Sequence, residues 1–139
     1  MVIETNVKAY MMSYWPDTGP LSVITMVNYA LVEVFFDEAD VDNKDSRFRW
    51  SYHDIGSIML KEPVDNVHKN AAPLHSRLSK VLAAKGKLKP DDFAEKCYFM
   101  RLENIGCLED AVKLVGIRMM DDYLAVKKDI NPKNGDNLN

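Results

Sequence analysis

The sequence predicts a mainly α protein, a single compact domain of about five helices, and three stretches lead there. Residues 21 to 36 place Leu21, Ile24, Val27, Leu31 and Phe35 at steps of three and four, with Val23, Met26, Ala30 and Val34 on the other side. A helix apolar almost all round belongs at the centre of a core. Residues 74 to 84 carry one stripe, Leu74, Leu78, Val81 and Leu82, and run into Gly86, which suits a left-handed cap. Residues 108 to 130 open on Glu109 and Asp110 and close on Lys127 and Lys128, charges that complement a helix dipole. Their stripe is Leu108, Ala111, Val112, Val115, Met119, Tyr123 and Val126.

The other elements follow in order. Residues 1 to 14 sustain neither a helical nor an alternating pattern, and Trp15-Pro16-Asp17-Thr18-Gly19-Pro20 then bends the chain. Asp37, Glu38, Asp40, Asp42 and Asp45 form an acidic loop. Taking Asp40 as the first ligand of a calcium loop puts Lys44, Asp45 and Ser51 where oxygen, glycine and glutamate are needed, so no metal is expected there. Ser51 and Asp54 have capping-box spacing, which predicts a helix over 52 to 60 burying Ile55, Ile58 and Met59. Pro63 opens a further helix that Pro73 kinks or restarts. Pro90-Asp91-Asp92 starts another that ends near Gly106, with a strand over 97 to 102 as the second choice. Residues 1 to 130 make one domain, and 131 to 139, polar and rich in breakers, a disordered tail.

Composition narrows the class. With 47% hydrophobic and 28% charged residues in 139, the chain has a globular balance rather than a disordered one. The N-terminus lacks the features of a secretory signal, no apolar run is long enough for a bilayer, and only Cys97 and Cys107 occur. A cytoplasmic protein with free thiols is expected. His53, His68 and His75 with those cysteines match neither the spacing of a zinc site nor a nucleophile motif, and no glycine-rich phosphate loop exists. Neither an enzyme nor a cofactor or metal is expected.

Charge is distributed unevenly. Residues 66 to 90 contain no Asp or Glu and carry Lys69, Arg77, Lys80, Lys85, Lys87 and Lys89, a sum of +6, while the rest of the chain sums to −9. Clustered cations inside an acidic chain are the footprint of a polyanion, because they displace counterions from phosphates. A solvated helix face paired with acids elsewhere in the chain is the plainer reading.

Residues 53 to 74, HDIGSIMLKEPVDNVHKNAAPL, have Ile55-Gly56, Met59-Leu60, a short turn at 61 to 63, then Val64 and Val67. This segment resembles the helix-turn-helix of DNA-binding proteins, which implies a helix-turn-helix or winged-helix arrangement and a transcription regulator. The resemblance makes Asn66, Lys69 and Asn70 the readers of base edges and Lys85, Lys87 and Lys89 a wing or phosphate clamp. Without it, Arg77 and Lys80 on the next helix are the contacts. A homodimer is expected through the long, Met-rich segment 108 to 130. The alternative function is an acidic protein-interaction module, adaptor or inhibitor, that presents residues 37 to 45 to a basic protein partner.

Overall fold

Residues 25 to 37 form a strand, not a helix, and the fold class changes with them. The computed structural model describes residues 4–17, 23–38, 48–87, 94, 96–104 and 107–130, with backbone alone for 128–130. Among these residues the order is β1 (Glu4–Pro16), β2 (Thr25–Asp37), β3 (Phe48–Leu60), α1 (Val64–Lys69), α2 (Ala71–Ala84), β4 (Cys97–Arg101), a short 3-10 turn and α3 (Leu108–Ile130). The strands make one sheet in the order β3-β2-β1-β4. β1 to β3 are an antiparallel meander, and β4 joins β1 in parallel, from Tyr10 opposite Cys97 to Tyr14 opposite Arg101.

The predicted mainly α domain of five helices, and the all-α class with it, is therefore corrected to a mixed α/β fold. The reason lies in what covers the sheet. Tyr10, Met12, Tyr14, Val27, Tyr29 and Leu31 pack under α1 and α2 with Val64, Val67, Leu74, Leu78 and Leu82. Ala9, Met11, Val32, Val34, Phe36 and Met100 pack under α3 with Ala111, Val112, Val115, Met119 and Met120. A strand buried on both faces has no polar side, so β2 reads as a continuous apolar run. Its β-branched and aromatic content, Val27, Tyr29, Val32, Val34, Phe35 and Phe36, favours the extended state.

Three further expectations change. The helix over 52 to 60 is the second half of β3. At Tyr29/Ala30 the β2–β3 register jumps from Gly56 to Asp54, leaving Ile55 as an inserted bulge residue. Gly56 sits beside that bulge, where a Cβ would meet Leu82 Cδ2 at 3.1 Å, so its missing side chain lets α2 lie close. The first helix of the helix-turn-helix is thus a strand, and no winged-helix pair is formed. Finally, the preferred helix toward Gly106 gives way at Cys97–Arg101 to β4, the second choice.

α2 and α3 form where their stripes place them. Pro73 is the third residue of α2, where a missing N–H breaks no helical hydrogen bond. Gly86 ends α2 at φ +73°, with Gly86 N–H on the Ala83 carbonyl at 3.0 Å and Lys87 N–H on the Leu82 carbonyl at 2.9 Å. That is a Schellman cap. The tail 131 to 139 and residues 39 to 47, which include Asp40, Asp42 and Asp45, lie outside the described residues.

Candidate functional site

The acid-free segment becomes the outer layer over one sheet face. Val64, Val67, Ala71, Leu74, Leu78 and Leu82 turn inward. Asn66, Lys69, Asn70, Arg77, Lys80, Lys85 and Lys87 are all exposed, and Lys89 lies outside the described residues. Arg77 and Lys80 stand one turn apart in α2, and the Schellman cap fixes the backbone that carries Lys85 and Lys87. Asn70 joins the two helices, and its Nδ2 donates to the Asn66 carbonyl at 2.9 Å. A side chain tied to its own backbone is poorly placed to read a base edge, which removes part of the role that the helix-turn-helix resemblance implies.

Four cations elsewhere among the described residues are paired with carboxylates, while Lys61, Lys113 and Arg118 are in none of these ion pairs. Arg49 meets Glu4 at 2.6 Å, Lys96 meets Asp122 at 3.4 Å, Arg101 meets Asp65 at 2.8 Å and Glu103 at 2.7 Å, and Lys127 meets Glu38 at 2.7 Å. Lys113 and Arg118 are interleaved along α3 with Glu109, Asp110, Asp121 and Asp122. Lys69, Arg77, Lys80, Lys85 and Lys87 have no carboxylate within ion-pair distance among the described residues. Asp65, which flanks the segment on its N-terminal side, is turned to Arg101.

Two tyrosine–histidine contacts hold this layer on the sheet. The Tyr14 hydroxyl and Nδ1 of His68 share a hydrogen bond of 2.9 Å, as do the Tyr29 hydroxyl and Nδ1 of His75. Tyr29 also stacks on Tyr10 and His75, with centroids 5.1 and 5.5 Å apart. Burial pushes the Tyr14 phenol up to about 12, raises that of Tyr29 further, and lowers the pKa of His75. A histidine whose folded pKa is depressed contributes stability that is full above its ordinary value, about 6.5, and lost as pH falls through the folded value. The urea midpoint is therefore expected to drop between pH 7 and pH 5. His75→Gln, which keeps a polar partner for Tyr29 but does not titrate, should show a shallower drop, and an equal drop would remove His75 as its source.

Two clefts open on the other face. One, of about 330 Å³, is floored by Val7, Ala9, Ala94 and Met119 and rimmed by Lys96, Tyr98, Asp122 and Tyr123. The Tyr98 hydroxyl donates to Asp122 at 2.5 Å. That bond, then Lys96, holds the Asp122 carboxyl below its usual range against the opposing effect of burial. Sequence reasoning missed this group, because β1, β4 and α3 assemble it from distant positions. The other cleft, about 280 Å³, lies between Trp50 and Tyr52 of β3 and Leu108, Glu109 and Val112 of α3.

The remaining candidate groups are dispersed. His53 pairs with Glu33 at 3.1 Å, far in sequence from His68 and His75. Burial pushes the Cys97 thiol up to about 12, while Cys107 is exposed. No three His, Cys, Asp or Glu side chains converge on a metal position among the described residues, and no helix there is long and apolar enough to cross a membrane. Glu38, at the start of the acidic loop, accepts from Lys127, Thr5 and Tyr123, and hydrogen bonds from Lys127 and then Thr5 lower its pKa. Met119 and Met120, on which dimerisation through α3 was to depend, are buried against the sheet. Compared with protein-family models, with curated protein sequences and with solved structures, the chain matches none of them.

Proposed function

We propose that this protein binds nucleic acid through the exposed face of α1 and α2, with Lys69, Arg77, Lys80, Lys85 and Lys87 on phosphates. The observation that supports this reading is a run of five cations, unpaired among the described residues, with no acid between them. Arg49, Lys96, Arg101 and Lys127 are each held by a carboxylate, whereas the five cations of the acid-free segment have none among the described residues. Exposed ion pairs are worth little to stability, so pairing alone does not explain where cations sit. Leaving a run of them unpaired is useful to a protein that must release counterions from a polyanion. The contacts are to the backbone rather than to bases, because the helix-turn-helix geometry is missing and Asn70 is tied to Asn66.

Fluorescence anisotropy on labelled mixed-sequence duplex DNA tests this. If about four phosphates are neutralised, log K falls against log salt with a slope of about −3.5, at roughly 0.9 per phosphate. The pair Arg77→Glu and Lys80→Glu should weaken binding to every sequence alike and flatten the slope by about 2. The pair Lys113→Glu and Arg118→Glu on α3 changes the net charge equally and should leave binding intact. Equal losses in the two variants, or no binding at tens of micromolar protein, would sink the proposal.

A further inference from the structure

Resting on that reading, the geometry points to a double helix, rather than a single strand, as the form of nucleic acid this face takes. Proteins that hold single strands use a cationic groove with aromatic rings on which bases stack. The described residues of α1 and α2 supply no such ring. Residues 61 to 87 contain no Phe, Tyr or Trp. The two imidazoles in that stretch, His68 and His75, are engaged through Nδ1 by Tyr14 and Tyr29 of the sheet. The two clefts described above are lined by residues of β1, β3, α3 and positions 94 to 98, with none from α1 or α2.

What the face offers is a ridge. α2 has 14 residues, a straight rod of roughly 21 Å. Its outward positions around Arg77 and Lys80 include Ala72, Pro73, Ser76, Ala83 and Ala84, all exposed and short, with the exposed Val81 as the one larger apolar side chain beside them. Short side chains keep the helix slim, and Arg77 and Lys80, one turn apart, share one side of it. A slim rod with cations along one side fits a groove walled by phosphates, and the major groove of B-form DNA, about 12 Å wide, admits a helix. A single strand has no such groove, and it would have to be ordered on this ridge with nothing for its bases to stack on.

The order of the charges supports the same partner. Lys69 ends α1, Arg77 and Lys80 lie in the middle of α2, and Lys85 and Lys87 follow at its capped end. Cations carried on a folded backbone gain most from an equally ordered row of phosphates, because neither backbone has to be ordered on binding.

The test is anisotropy of the full chain, at one low salt concentration, against four labelled probes of equal length: mixed-sequence duplex DNA, duplex RNA, mixed-sequence single-stranded DNA and oligo-dT. Binding to at least one duplex that is about tenfold or more tighter than to both single strands is the expected result. Loss of that preference in Arg77→Glu/Lys80→Glu, with an unchanged circular dichroism melt, would place it on this face. Single strands bound as tightly as duplexes would overturn the inference and leave nucleic-acid binding standing. Failure to bind any of the four would overturn the proposed function itself, and this inference with it.

Discussion

Leu31→Ala is expected to cost about 2 to 5 kcal/mol in denaturant unfolding, the range for removing a large side chain from a core that cannot close around the gap. Leu31 is 3% exposed and lies in the middle of β2, opposite Tyr10 on β1 and His53 on β3. Its strand is hydrogen-bonded on both sides and covered on both faces, so neither a neighbouring strand nor a helix can shift inward without breaking the ladder. A loss below about 1 kcal/mol would mean that the centre of the sheet is less tightly determined than this packing requires.

Gly116→Val should have a comparable effect by the opposite route. A Cβ at Gly116 would stand 2.8 Å from Phe48 Cε2 and 3.5 Å from Val34 Cγ2. Glycine in the middle of a 23-residue helix sacrifices about 1 kcal/mol of helix propensity against alanine, and here it lets α3 approach the sheet. Alanine regains that propensity and needs only the end of the Phe48 ring to move, so Gly116→Ala should be close to neutral. Valine adds two methyl groups against Val34 and the ring, and overpacking of this kind costs about 1 to 3 kcal/mol. Combining Gly116→Val with Phe48→Leu should recover part of the loss, a non-additivity that a double-mutant cycle measures. Strict additivity, or a Gly116→Val variant as stable as Gly116→Ala, would contradict the close approach.

The helices were legible in the sequence because each meets the rest of the protein on one side. Leu74, Leu78 and Leu82 in α2, and Ala111, Val112, Val115 and Met119 in α3, are buried at the helical spacing that predicts them. At the margins of those stripes Val81 is 46% exposed and Val126 52% exposed, outside the contact. The strand over 97 to 102 stood as a second choice, but β2 and β3 were not legible, for two separate reasons. Tyr29 to Val32 are buried in succession under both helical layers, which erases the alternation that marks a half-exposed strand. In β3, Phe48, Trp50 and Tyr52 do alternate, but the bulge at Ile55 shifts the inward positions to Ile55, Ile58 and Leu60. A step of three followed by a step of two imitates a helical stripe. The cationic face was visible because it is contiguous in the chain, whereas Lys96, Tyr98 and Asp122 meet only after β4 and α3 have packed.

The parallel pairing of β1 with β4 bears on how the chain reaches this structure. Two antiparallel hairpins join β1, β2 and β3, but Tyr10 must wait for Cys97. Closing so long a loop costs entropy before any of the β1–β4 hydrogen bonds form, which makes that step slow relative to the meander. During synthesis the delay is imposed by the ribosome as well. Between the end of β2 at Asp37 and the end of β4 at Arg101, roughly 3 to 13 s pass at 5 to 20 residues per second. For that interval the apolar β1 segment Met11 to Tyr14 carries an open edge, the kind that recruits strands from other chains. The docking of α1 and α2 comes before β4 in chain order, and through Tyr14–His68 and Tyr29–His75 it covers one face of that segment first. The helical layer that carries the cations is thereby also the early shield of a nascent sheet.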